Sequence, residues 1–342
     1  MKAWIIKEIS DLANNFELLI LADIDVPIIS DYEILIKVYA CAVCHTEIDE
    51  IEGRAMPSFL PIIPGHQIVG EVVEVGKFVT KFKVGDRVGA GWIYSACGKC
   101  DYCKKGLENL CDDFKATGKD VNGGYAEYFK IHEDFAFFIP ENFTYEESAP
   151  LFCAGAIGYR ALKLAKLENG QNIGLVGFGA SGHIVLKLIK YLYPDSKVLV
   201  FSRTEKERNF AKKLGAYWTG DFDEEPPEKI NSAIDTTPVW KPPLSILKYL
   251  KPSGRLIINA IRKEEIGKEE LLKIEYSRDL WLEKEIKSVA NITRNDIEEF
   301  LSLANKILLK PEIEIYEFKD ANKALNDIKN RKIKGAKVLK IY

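Results

Sequence analysis

The chain has 342 residues, 47% hydrophobic and 29% charged, with a formal net charge of −3. That length exceeds one ordinary core, so two domains are expected, and the mild negative charge gives no electrostatic pull toward nucleic acid or an anionic membrane. No apolar run approaches the roughly 18–20 residues that span a bilayer, and Lys7 and Glu8 break the apolar start that a secretory signal would need, so the expected location is the cytoplasm, where thiols stay reduced.

In chain order, the first segment with chemical content is CAVCHTEIDEIEG, which holds Cys41, Cys44 and His45. IPGHQIVGEVVEVG follows, with His66 at the head of an apolar, strand-like run. A histidine in that setting, taken singly, is more often a packed structural residue than a ligand. The same holds for Cys153, flanked by Leu151 and Phe152 in APLFCAGAIGYRAL. Cys41 reads as a packed small residue.

CGKCDYCKKGLENLC crowds Cys97, Cys100, Cys103 and Cys111 into fifteen residues. Neighbours this close cannot comfortably pair as disulfides. They can converge on one ion, and zinc accepts four thiolates tetrahedrally, leaving no open position, so such a site is structural. An iron–sulfur cluster is the rival, since it too takes four cysteines. Either would staple a loop with little apolar content of its own.

NIGLVG reads as a buried strand, GFGASG as a tight turn with Gly177, Gly179 and Gly182, and HIVLKLIKYL as a helix. Strand, glycine turn and helix N-terminus together form a dinucleotide fingerprint, with the pyrophosphate at the helix start. A second strand, KVLVFS, ends at Ser202, twenty residues beyond the last glycine, where the ribose is read. A carboxylate is usual there for NAD. Ser202 is neutral and Arg203 follows it, with Lys206 and Arg208 close behind, a set suited to a 2′-phosphate. The expectation is NADP in preference to NAD. The alternative is that Arg203 faces solvent and both are used. Beyond an acidic surface loop, DFDEEPPEKI, the alternation continues with helix EKERNFAKKL before it and strand SAIDTT, helix PLSILKYL and strand GRLIINAI after it. This is the pattern of a doubly wound parallel sheet.

The CHT beginning at Cys44, the PGH ending at His66, the four-cysteine loop, the CAG beginning at Cys153 and the glycine fingerprint fall in one order along the whole chain. In that order the sequence resembles the zinc-dependent medium-chain alcohol dehydrogenases. The resemblance implies an α/β protein: a Rossmann domain over 153–290 and a β-rich, GroES-like barrel catalytic domain over 1–152 with 291–342. It implies two zinc ions per chain, a catalytic one on Cys44, His66 and Cys153 and a structural one on Cys97, Cys100, Cys103 and Cys111. Cys153 favours an alcohol/aldehyde enzyme over the polyol dehydrogenases, which usually carry glutamate there. The implied reaction is reversible oxidation of an alcohol to an aldehyde or ketone by hydride transfer to NAD(P).

By the same resemblance Thr46 takes the alcohol proton, Asp49 stands in place of the relay histidine, Glu47 orients a zinc ligand, His45 contacts the pyrophosphate and Trp92 walls the substrate pocket. Asp49 is a weaker base than histidine, since its ordinary pKa is near 4. Three residues depart from the family pattern: Gln67 for glutamate, Ile157 for threonine and Ala336 for arginine. The implied partner is a small-molecule alcohol or aldehyde, and the implied assembly a homodimer or homotetramer. A non-catalytic NADPH- or zinc-binding sensor or structural protein on this scaffold is the alternative. The intact set of Cys44, His66, Cys153 and Thr46 argues against it.

Overall fold

The computed structural model describes residues 1–10, 17–330 and 335–342. The chain divides into two compact units, 1–156 with 291–342 and 157–290, so Cys153 to Ala156 belong to the first.

The first unit is organised around one long strand, Glu33–Val43, buried along almost its whole length. One of its edges pairs with Ile68–Val75, and the other is shared between Tyr128–His132 and Ala336–Lys340. Arg87–Ala90 and Ala136–Phe138 extend the sheet beyond Ile68–Val75, and Ile313–Glu317 extends it beyond Ala336–Lys340. All these pairings are antiparallel except the last, which is parallel. Gly70 is required in the middle of this sheet. A Cβ there would come within 2.0 Å of the Lys37 carbonyl oxygen, where the pairing skips a residue between Val38 and Ala40. Such irregularities bend a strand and help a sheet to curl.

The second unit is a six-stranded parallel sheet in the order Trp218–Gly220, Val198–Phe201, Ile173–Val176, Ile230–Asp235, Leu250–Ile258, Glu285–Ser288. Numbered along the unit, that order is 3-2-1-4-5-6, the doubly wound arrangement, whose direction reverses between the first and fourth strands. The inner strands read as near-continuous apolar runs because helices cover both faces. Leu199, Phe201, Ile230, Ile246, Leu247 and Leu256 form part of one core cluster.

Two expected boundaries move. The helix expected over PLSILKYL runs Lys241–Ile246 only, and Leu247–Tyr249 tighten into a 3-10 turn. Leu250 has already joined the next strand opposite Ile230. Ile246, Leu247, Tyr249 and Leu250 are all buried, so the apolar run has no polar side to mark where the helix stops. The following strand ends at Ile258 rather than Ile261. No helix among the described residues is long and apolar enough to cross a membrane.

Candidate active site

Three segments of the first unit bring Cys44, His66 and Cys153 together, with their donor atoms all within 4.8 Å of one another. Cys44 is the N-cap of the helix His45–Ile51. Its backbone N–H donates to Glu47 Oε2 at 2.7 Å. The other oxygen of that carboxylate, Oε1, lies 2.9 Å from His66 Nδ1. Glu47, fully buried, thus ties the segments of two candidate ligands. Both ring nitrogens of His66 are buried, and with Nδ1 held against Glu47, Nε2 is the one left for a metal.

His66 follows a glycine for a steric reason. Gly65 has φ +96°, and a Cβ there would lie 2.3 Å from the Tyr125 ring. The 63–65 segment is braced by N–H groups of Gly123, Gly124 and Tyr125 donating to the carbonyls of Ile63, Gly65 and Pro64. Cys153 ends a short turn, Ala149–Phe152, that lies on Gly89 of the strand Arg87–Ala90 and on Gly91 just past its end. A Cβ on Gly89 would meet the Phe152 ring at 2.3 Å, and one on Gly91 the Phe152 carbonyl at 2.7 Å. Gln67 Oε1 accepts from the Ala154 N–H at 3.3 Å, linking the neighbour of His66 to the neighbour of Cys153.

The three groups influence one another's ionisation. The Cys44 thiol is held well below its ordinary value, first by a hydrogen bond from Cys153, against burial, with His66 adding to it. Cys153 is pushed well above, first by donating that bond and then by burial. Burial works against a charge on His66, yet Glu47 and Cys44 outweigh it and hold the imidazole well above its usual range. Three soft or borderline donors, one fewer than a closed structural site uses, fit zinc in a catalytic arrangement.

The remaining helix residues surround this set. Thr46 Oγ1 lies 3.5 Å from Cys44 Sγ. Asp49 is buried, 2.7 Å from Arg54 Nε and 4.0 Å from His45 Nε2. Burial raises its carboxyl above the ordinary value, and His45 and Arg54 oppose that. Arg54 is a partner that sequence reasoning missed, and nothing in the local spacing marks it. Glu50 was also missed: burial, then Glu47, push its carboxyl well above the usual range. Trp92 packs against Phe114, ring centroids 5.4 Å apart.

The sulfurs of Cys97, Cys100, Cys103 and Cys111 also lie within 4.8 Å of one another. Cys97 Sγ and Cys103 Sγ are 3.9 Å apart, against about 3.8 Å for two sulfurs on one tetrahedral zinc. Backbone N–H groups point at the sulfurs: Cys100 N–H at Cys97 Sγ (3.3 Å), Cys103 N–H at Cys100 Sγ (3.4 Å) and Cys97 N–H at Cys111 Sγ (3.5 Å). Such bonds favour the thiolate, and backbone donors pull Cys97 down to about 6. The loop is pinned by buried Glu108, whose Oε1 accepts from Arg294 N–H at 2.8 Å and Nε at 3.1 Å.

In the second unit, Gly177 closes the strand Ile173–Val176 with φ +85°, and a Cβ there would meet Thr236 Oγ1 at 2.8 Å. Gly179 caps the helix Ala180–Leu192 without any side-chain cap, leaving the first N–H groups to an outside acceptor. A Cβ on Gly182 would sit 3.0 Å from the Gly177 carbonyl oxygen, so the helix rests directly on the turn. This bare cradle fits a pyrophosphate. Ser202 is buried at the end of the neighbouring strand and Arg203 beside it is exposed.

A doubly wound dinucleotide-type unit, with a GroES-like sheet unit that carries a Cys–His–Cys cluster and a four-cysteine cluster, defines a class of two-domain α/β oxidoreductases. Comparison with known proteins narrows this. Residues 30–141 match the model of the alcohol dehydrogenase GroES-like domain. The chain is 37% identical over 314 residues to a probable alcohol dehydrogenase, AdhA, of Mycobacterium tuberculosis, covering 90% of this chain and 89% of that one. It is 35% identical over 328 residues to an alcohol dehydrogenase of Geobacillus stearothermophilus, covering 93% and 95%. A solved cinnamyl alcohol dehydrogenase of Sorghum bicolor superposes with a TM-score of 0.86 at 25% identity over 99% of this chain and 97% of that one. The chain belongs to the zinc-dependent medium-chain alcohol dehydrogenase family. It is an alcohol–aldehyde oxidoreductase, and nothing in these likenesses favours a non-catalytic protein.

Proposed function

We propose that this enzyme carries two zinc ions per chain, one on Cys44, His66 and Cys153 for catalysis and one on the four-cysteine loop for structure. We also propose that it exchanges hydride between a small alcohol or aldehyde and NADP in preference to NAD. The observation that carries the reading is the three-donor cluster at Cys44, His66 and Cys153, which satisfies only three of the four positions zinc fills. Zinc bound there supplies a Lewis acid for the substrate oxygen.

The chain's own groups do the rest. Thr46 lies beside Cys44 and accepts the hydroxyl proton of an alcohol. Glu47 holds Nδ1 of His66, so that Nε2 would be the atom to bind the metal. Asp49, paired with Arg54, receives the proton further out, and burial makes it a stronger base than a free carboxylate. Gly177, Gly179 and Gly182 cradle the pyrophosphate in the second unit, and the family resemblance makes His45 a further pyrophosphate contact. Trp92 walls the substrate side. Ser202 and Arg203 read the adenosine ribose, and the neutral serine with an exposed guanidinium supports the choice of NADP.

A cytoplasmic location suits seven cysteines, none of them in a disulfide. The outer strand Glu285–Ser288, exposed throughout, and exposed Leu272, Tyr276 and Trp281 support self-association of the second unit into a homodimer or a larger homo-oligomer.

Metal analysis and steady-state kinetics test the reading. Two zinc ions per chain and turnover of a panel of primary, secondary and aromatic alcohols are expected, with kcat/KM higher for NADP. Arg203→Ala should lower the NADP value and leave NAD nearly unchanged. One zinc per chain, or iron, would overturn the metal assignment, and a parent that prefers NAD would overturn the cofactor assignment.

A further inference from the structure

The helix Glu205–Lys213 begins with the pattern Thr-x-x-Glu, and its first turn differs from those of its counterparts elsewhere in the chain. Three other helices, opening at Cys44, Thr144 and Thr293, carry an acid three residues after the cap. In each, that carboxylate turns back to accept from the backbone N–H of the capping residue, at 2.7, 3.0 and 2.9 Å respectively. At the fourth, Thr204 caps normally, its Oγ1 accepting from the Glu207 N–H at 3.2 Å. The Glu207 carboxylate does not close the box. It accepts instead from the hydroxyl of Ser202.

The neighbouring cations divide unequally. Arg208 is occupied: its Nη1 donates to the carbonyls of Ser202 at 2.8 Å and Arg203 at 2.9 Å, and lies 3.9 Å from Asp221. Arg203 is exposed. The strand end therefore presents one carboxylate on the serine hydroxyl and one exposed guanidinium beside it. A hydroxyl has a single proton to give. While Ser202 donates to Glu207 it cannot donate to a phosphate, and an acceptor-only carboxylate next to it repels one. The same carboxylate can accept from a free ribose 2′-hydroxyl, as an acid at a strand end does in NAD enzymes.

We propose that Glu207 determines the cofactor specificity of this enzyme by opposing the 2′-phosphate of NADP and accepting from the 2′-hydroxyl of NAD, against the pull of Arg203. This rests on the reading above that Ser202 faces the adenosine ribose. The preference is then a balance between the Glu207 carboxylate and the exposed cations near it, Arg203 beside the serine and Lys206 in the first turn.

The test is the ratio of kcat/KM for NADP to that for NAD, measured in the parent, Glu207→Gln and Arg203→Ala. One carboxylate facing a phosphate of about −1.5 to −2 charge across roughly 5 Å of water-like medium changes affinity by about tenfold. Glu207→Gln is therefore expected to raise the ratio by about tenfold or more, through opposite changes in the KM values of the two cofactors. Glu207→Ala, which also removes the charge, must move the ratio the same way, whatever either variant does to stability. A structural role alone would lower activity with both cofactors together and leave the ratio fixed. A ratio that stays put in both Glu207 variants while Arg203→Ala lowers it would overturn the inference and leave Ser202 at the ribose. A ratio unmoved by all three would overturn both. Ser202→Asp is the poorer probe here, because it sets a second carboxylate against Glu207.

Discussion

Lys263→Met should strongly destabilise the second unit. Asp235 ends a central strand and Lys263 reaches it from the loop after the next strand, with side chains 0% and 6% exposed. The Lys263 ammonium donates to Asp235 Oδ2, to the Thr237 carbonyl at 2.6 Å and to the Val239 carbonyl at 3.1 Å. Asp235 keeps Thr237 Oγ1 at 2.7 Å and Thr237 N–H at 3.1 Å as its other donors. Removing the ammonium strands a buried carboxylate and two carbonyls, and breaking one side of a buried pair costs about 3–5 kcal/mol. For a domain of this size that lowers the melting temperature by on the order of 10 °C.

The deficit should depend on pH. Burial already raises the Asp235 carboxyl above its ordinary value, against the effect of Lys263, and losing the lysine raises it further. A carboxyl whose folded pKa is raised takes up a proton on folding. Its contribution is best below the unfolded pKa, near 4, and is lost as pH rises through the folded pKa. Calorimetry should therefore find the variant closer to the parent at pH 5 than at pH 7. Adding Asp235→Asn should recover part of the loss, since no charge is then buried alone. A single variant within about 1 kcal/mol of the parent, or a double variant no better than the single, would refute the ion pair.

Cys103→Ala should remove about one zinc per chain and lower thermal stability, because the metal and the fold of its loop are coupled; a stable variant with the parent's metal content would exclude the site. Cys44→Ala and His66→Ala should each abolish turnover while a fluorescence titration still shows dinucleotide binding, and parent-like activity in either would break the ligand assignment. Glu47→Gln should weaken zinc binding by about 10–100-fold, read by competition with a chelator, and an unchanged affinity would mean that its contact with His66 does not orient the ring. Gly65→Ala should cost about 1–3 kcal/mol from the clash with Tyr125, plus strain at positive φ, and should lower zinc occupancy because His66 moves with it.

The sequence made some of this legible and hid the rest, for reasons of range. The cysteine loop is a local object: fifteen residues of turn bring its four sulfurs together, so spacing alone points to an ion. The glycine turn is local too, and the sequence pattern locates both it and the strands on either side. Cys44, His66 and Cys153 are gathered by sheet pairing and by the fit of Phe152 over Gly89, which no spacing reveals, and only the likeness to a family singled them out. Glu207 was hidden differently. Thr-x-x-Glu reads as a helix start, and the pattern is satisfied whether the carboxylate closes the cap or turns to Ser202. Lys263 was invisible because its partner lies on another strand.

The two cysteine clusters also differ in how much chain must be organised before an ion can enter. The loop from Cys97 to Cys111 closes over fifteen residues, a short contour with a small entropic cost, and can fold around a metal while the polypeptide is still being synthesised. The other set joins Cys44 to Cys153, so its donors meet only after most of the first unit's sheet has formed. On the proposed two-zinc reading, metallation would be ordered by sequence separation, with the local cluster filled ahead of the open one. In a cell short of metal, newly made chains would accumulate with the loop loaded and the reactive centre still waiting.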